Sequence, residues 1–73
     1  MFEFNVSLTC NGIQIEEGKV YNILCYNNTY DRYVGKVTKI SVDSKMITVD
    51  YSQQYKSGVV NINLSHILEI STV

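Results

Sequence analysis

The sequence predicts an all-β fold, a small five-stranded barrel preceded by an N-terminal β-hairpin. Three observations predict it. The chain contains no Ala, Pro or Trp while Val, Ile, Tyr and Asn are abundant, which removes the best helix former and enriches β-branched and aromatic residues. Apolar and polar residues alternate over short runs, and no helical stripe of useful length can be drawn. Clusters of Asn, Asp, Gly and Ser punctuate those runs, as turns between strands require.

Residues 2–8 alternate without exception, with Phe2, Phe4, Val6 and Leu8 apolar and Glu3, Asn5 and Ser7 polar. This is a strand with one buried face. Thr9-Cys10-Asn11-Gly12 supplies a turn, since Asn-Gly takes the positive φ angles of a tight reversal. Ile13 and Ile15 resume the alternation and complete the hairpin. Glu16-Glu17-Gly18 breaks the pattern, so residues 1–17 are the hairpin extension and residues 18–73 the barrel.

Residues 19–26 form the next strand, with Tyr21, Ile23 and Cys25 on one face and Val20, Leu24 and Tyr26 on the other. Both faces are apolar, so parity does not say which is inside. A polar loop over 27–32 follows, then a long strand over 33–42 punctuated by Gly35, and a glycine within a strand marks a bend or a close backbone approach. Asp43-Ser44-Lys45 is a short turn. Ile47, Val49 and Tyr51 alternate with Thr48 and Asp50 in the next strand, and residues 52–58 form a second polar loop. Val60, Ile62 and Leu64 alternate with Asn61 and Asn63; a helical turn over 65–67 precedes a last strand over 68–70.

At 73 residues the chain is one domain, and folding at this size buries only about 60% of the surface the unfolded chain exposes. The two cysteines, Cys10 and Cys25, and a start without the basic segment and long apolar run of a secretory signal indicate a reduced, cytoplasmic protein. No apolar run of roughly 18 residues is present to span a membrane as a helix. The formal charge of −1, from six Lys and Arg against seven Asp and Glu, gives no broad attraction to phosphates or anionic lipid.

Tyr-Asp-Arg-Tyr-Val-Gly-Lys-Val at 30–37, Val-Asp-Tyr at 49–51 and Asn-Ile-Asn-Leu-Ser-His-Ile at 61–67 carry a resemblance. Residues 18–70 resemble a Tudor domain, a member of the SH3-like small barrels. The resemblance implies five strands in an up-and-down meander, a helical turn before the last strand, and a closed sheet without exposed edges. It also implies an aromatic cage for a methylated lysine or arginine, placed by position on Tyr26, Tyr33, Tyr51 and Tyr55. Such a cage attracts a desolvated cation by about 0.5–2 kcal/mol per ring. The chain departs from the family pattern in lacking a first-strand Trp and in carrying Ser52 where a Gly follows the Asp-Tyr. The N-terminal hairpin lies outside the resemblance.

No catalytic or metal-binding constellation accompanies the tyrosines. His66 is the only histidine, the cysteines have neither a CxxC spacing nor a basic neighbour to activate them, and Gly12, Gly18, Gly35 and Gly58 stand too far apart for a phosphate loop. The expected function is therefore non-catalytic and cofactor-free: docking of a protein or peptide partner by Tyr26, Tyr30, Tyr33, Tyr51 and Tyr55 at one barrel end, with Arg32 and Lys56 adding charge at the rim. Rigid aromatic groups give contact area at small entropic cost.

Two other classes fit the same residues. One is nucleic-acid or nucleotide binding, for which Arg32, Lys36 and Lys39 beside Tyr30 and Tyr33 supply cations among aromatics. Strict alternation, however, puts Lys36 and Lys39 on opposite faces unless a bulge intervenes near Gly35. The other is a small inhibitor or accessory protein of a phage or mobile element acting on a host protein. There residues 2–8 offer a regular edge for pairing with a target chain or a twin.

Overall fold

The computed structural model describes residues 7–10 and 12–73. Residues 2–6 of the expected first strand lie outside that range. What is described begins with β1 (Ser7–Cys10), paired antiparallel with β2 (Ile13–Glu16) in the register Leu8↔Ile15. Gly12 turns the hairpin at φ 80°, a conformation that costs glycine little.

The remaining strands are β3 (Val20–Asn27), β4 (Thr29–Ser41), β5 (Met46–Ser52), β6 (Ser57–Asn63) and β7 (Ile67–Thr72), with a 3-10 turn at Leu64–His66 before β7. They form one antiparallel sheet in the order β6-β5-β4-β3-β7. The meander thus folds its last strand back onto its first. Tyr21, Ile23 and Cys25 point inward, joined by Val37, Ile40, Ile47, Val49, Ile62, Ile67 and Ile70. Ile15 of the hairpin is fully buried in that same core.

β4 is the element that bends the sheet. Its first half pairs with β3 and its second with β5, and Gly35 stands at the junction opposite both Tyr21 and Tyr51. A Cβ at Gly35 would lie 2.5 Å from the Asp50 carbonyl oxygen, so only glycine allows the β5 backbone this close. Three residues later a bulge at Thr38 separates the pairs Val37↔Val49 and Lys39↔Thr48. Beyond the start of β3, Val37 still accepts from the Gly18 amide at 2.7 Å and donates to the Lys19 carbonyl at 2.9 Å. The Glu17 carboxylate takes over by accepting from the Ile40 amide at 2.8 Å.

Three expectations are corrected. The sheet is not a closed barrel: among the described residues no ladder joins β6 to β7. The turn between them carries the chain from the edge of β5 to the edge of β3, and the seam is filled by the buried side chains of Ile62 and Ile67. The polar loop expected over 27–32 is a tight reversal, because Asn28 adopts φ 66° and the ladder runs through Tyr26↔Tyr30 to Asn27↔Thr29. The loop expected over 52–58 shrinks likewise to residues 53–56, closed by a 2.7 Å bond from the Gln53 amide to the Lys56 carbonyl.

Candidate functional site

Strand alternation divides the sequence-selected residues between two faces. Tyr33, opposite buried Ile23, is on the core face of β4, whereas Tyr26, Tyr30 and Arg32 point outward with Leu24. Tyr51 follows Val49 on the core face of β5 and meets Tyr33 at a centroid distance of 4.9 Å and an interplanar angle of 58°. Over this pair lies the Lys56 ammonium, 4.8 Å from the Tyr33 centroid and 5.8 Å from that of Tyr51. The protein's own lysine thus makes the cation contact that the two rings favour.

The second aromatic pair is separate. Tyr26 and Tyr30 face each other across the β3–β4 reversal with centroids 4.7 Å apart and planes inclined by 51°, and they are 45% and 70% exposed. Tyr55 belongs to neither pair. It is 91% exposed, and its hydroxyl accepts from the Gln54 side-chain amide. The single rim of five phenols expected from the sequence is therefore two pairs and one isolated ring.

Tyr33 connects the inner pair to a groove of about 130 Å³ running between the tip of β3–β4 and the edge strand β6. Its lining includes Cys25, Asn27, Asp31, Asn63 and His66 with the Val60–Ile62 stretch of β6. The outer edge of β6 has no neighbouring strand among the described residues, so extended backbone borders the groove on one side. Asn63 is fixed there because its Oδ1 accepts from the Ser65 amide at 2.9 Å and from the Ser65 hydroxyl at 2.8 Å. Sequence reasoning did not select Asn27, Asp31, Asn63 or His66 for a site; they come from four elements, and no local motif joins them.

Cys25, Asp31 and His66 share this groove, yet the thiol is not poised for nucleophilic work. Cys25 donates to the backbone carbonyl of Asp31 at 3.5 Å. Burial, followed by the nearby Asp31 charge, raises its pKa, with Lys56 opposing, whereas a reactive thiolate needs a lowered one. Burial likewise raises the hydroxyl pKa of Tyr33, with Asp31 and the neighbouring acids adding to it. Among the described residues no group of three His, Cys, Asp or Glu side chains could hold a metal ion.

No helix of the described residues is long and apolar enough to cross a membrane. Comparison with known proteins finds no matching family model, no matching curated protein and no matching solved structure.

Proposed function

We propose that this chain is a non-catalytic binding module that docks an extended peptide segment of a protein partner in the groove between β6 and the β3–β4 tip. One observation carries the reading: an open depression joins an unpaired strand edge, an aromatic ring and an acidic side chain. The β6 edge supplies backbone donors and acceptors for a peptide lying alongside it. Tyr33 offers a ring face, Asp31 and Asn27 supply acceptors for a basic or amide side chain of the peptide, and Asn63, its oxygen taken by Ser65, supplies amide donors.

The same reading takes residues 18–70 as an SH3-like, Tudor-like module. Supporting it are the meander whose fifth strand returns to its first, the 3-10 turn before that strand, and the sharply bent second strand. The Tyr33–Tyr51 pair under a cation is consistent with half of an aromatic cage.

The test is selection from a random-peptide display library, followed by titration of the selected peptide into 15N-labelled protein. Amide shifts are expected at Asn27, Asp31, Tyr33, residues 60–63 and His66, and both Asp31→Asn and the groove-filling His66→Trp should weaken binding at least about tenfold. Failure to select any binder, or shifts confined to other surfaces, would overturn the proposal.

A further inference from the structure

We infer that the outward face of β3, β4 and β5 is a docking platform for single-stranded nucleic acid, separate from the groove. An uninterrupted strand would send Lys36 and Lys39 to opposite sides, but the extra residue Thr38 restores Lys39 to the face of Lys36. Lys36 stands opposite Asp50 and Lys39 opposite Thr48, two residues that alternate with buried Val49 and therefore point outward.

With Arg32 on the same face, three cations follow one another along β4, ahead of which stands the exposed Tyr26–Tyr30 pair. Same-face residues recur at roughly 6.7 Å along a strand, so the stripe runs from the aromatic pair to the far end of the sheet. There it meets a shallow depression of about 190 Å³ whose lining includes Lys39, Ser41, Ser44, Thr48 and Asn61. The Ser44 hydroxyl donates to Ser41 and that of Thr48 to the Asn61 side-chain oxygen, which leaves the Lys39 ammonium, the Ser41 hydroxyl and the Asn61 amide nitrogen as donors to a phosphate.

The cations are available for a ligand. None of Arg32, Lys36 and Lys39 forms an ion pair with a described residue. Arg32 gives one guanidinium nitrogen to the Asn22 side-chain oxygen at 2.7 Å, which orients the group and leaves other donors for a ligand. Two carboxylates share the face, Asp50 beside Lys36 and Glu69 opposite Leu24. They and the overall charge of −1 restrict attraction to the stripe itself.

The rings decide which nucleic acid fits. Two exposed, mutually tilted phenols stack on bases only where base faces are free, as they are in single strands and not inside a duplex. The occupant is accordingly a short single-stranded segment, its bases on Tyr26 and Tyr30 and its phosphates along Arg32, Lys36 and Lys39.

Fluorescence anisotropy with labelled oligothymidylate and oligouridylate of about twelve nucleotides tests this, with a duplex of equal length as comparison. Saturable binding of the single strands is expected, with log K falling against log salt at a slope of about −2, the value for three contacts to a single strand. Tyr26→Ala and Tyr30→Ala should each weaken binding about tenfold without changing the slope. The double change Lys36→Glu with Lys39→Glu should flatten the slope. His66→Trp, which fills the groove, should leave oligonucleotide affinity unchanged, so this inference and the peptide reading fail separately. Absence of saturable binding at low salt, equal affinity for the duplex, or indifference to the tyrosine changes in variants with native NMR spectra would overturn it. So would response of this face to a selected peptide alone.

Discussion

Tyr21 shows how a single residue links two parts of the chain. Its ring is 1% exposed, and its hydroxyl accepts from the Glu16 amide at 2.8 Å while donating to the Gln14 carbonyl at 3.3 Å. Tyr21→Phe keeps the ring and leaves a part-buried amide short of its partner. Denaturant unfolding should show a loss of about 1–2 kcal/mol. Gly35→Ala should cost more, about 2 kcal/mol or above, because its methyl meets backbone instead of a movable side chain. The two thiols give a pH prediction. Burial raises the pKa of Cys10 and Cys25, so the unfolded chain releases these protons first as pH rises. Their contribution to stability is complete below the ordinary thiol pKa and disappears as pH climbs through the folded values. Alkylation by iodoacetamide should therefore be slow at neutral pH and accelerate on the alkaline side, with half-buried Cys10 ahead of Cys25.

At the scale of elements, β4 organises the molecule, and its bulge is open to test. Deleting Thr38 leaves Val37, Lys39 and Ile40 in strict alternation on the faces they already occupy, so what is lost is the extra twist of the bulge and the Thr38 hydroxyl's bond to the Thr48 carbonyl. A retained fold with altered amide shifts confined to β4 and β5 is expected, whereas inserting a second residue beside Thr38 should expel Ile40 from the core and lower the melting temperature sharply. These elements also show what the sequence made legible. The alternation of Ile13 with Ile15, and of Ile47, Val49 and Tyr51, marked strands directly, since one face of each is polar. β3 was ambiguous because Val20, Leu24 and Tyr26 are as apolar as the residues that became the core. Residues 27–32 misled in another way: turn-forming side chains filled a segment whose cross-strand pairs, Tyr26 with Tyr30 and Asn22 with Arg32, hold it in the ladder. The bulge at Thr38 carries no glycine to announce it. The groove left still less trace, since Asn27, Asp31, Asn63 and His66 converge only once β6 and the 3-10 turn pass the tip of β3–β4.

At the scale of the whole molecule, the hairpin is part of the core. Ile15 is fully buried against the main sheet, and the Glu17 carboxylate beyond β2 serves β4. Ile15→Ala should therefore destabilise the entire domain by about 2–5 kcal/mol, as a core truncation does. Thermal unfolding should remain a single transition followed identically by far-UV circular dichroism and by tyrosine fluorescence. Two transitions, or a loss confined to the hairpin amides, would show that the hairpin melts on its own. The return of β7 to β3, Ile23 opposite Ile70 and Tyr21 opposite Thr72, imposes an order on biosynthesis. Until the ribosome has released residues 67–72, a nascent β3 has only one flank covered, and it stays open to chaperones and to neighbouring polypeptides while the four intervening elements are made.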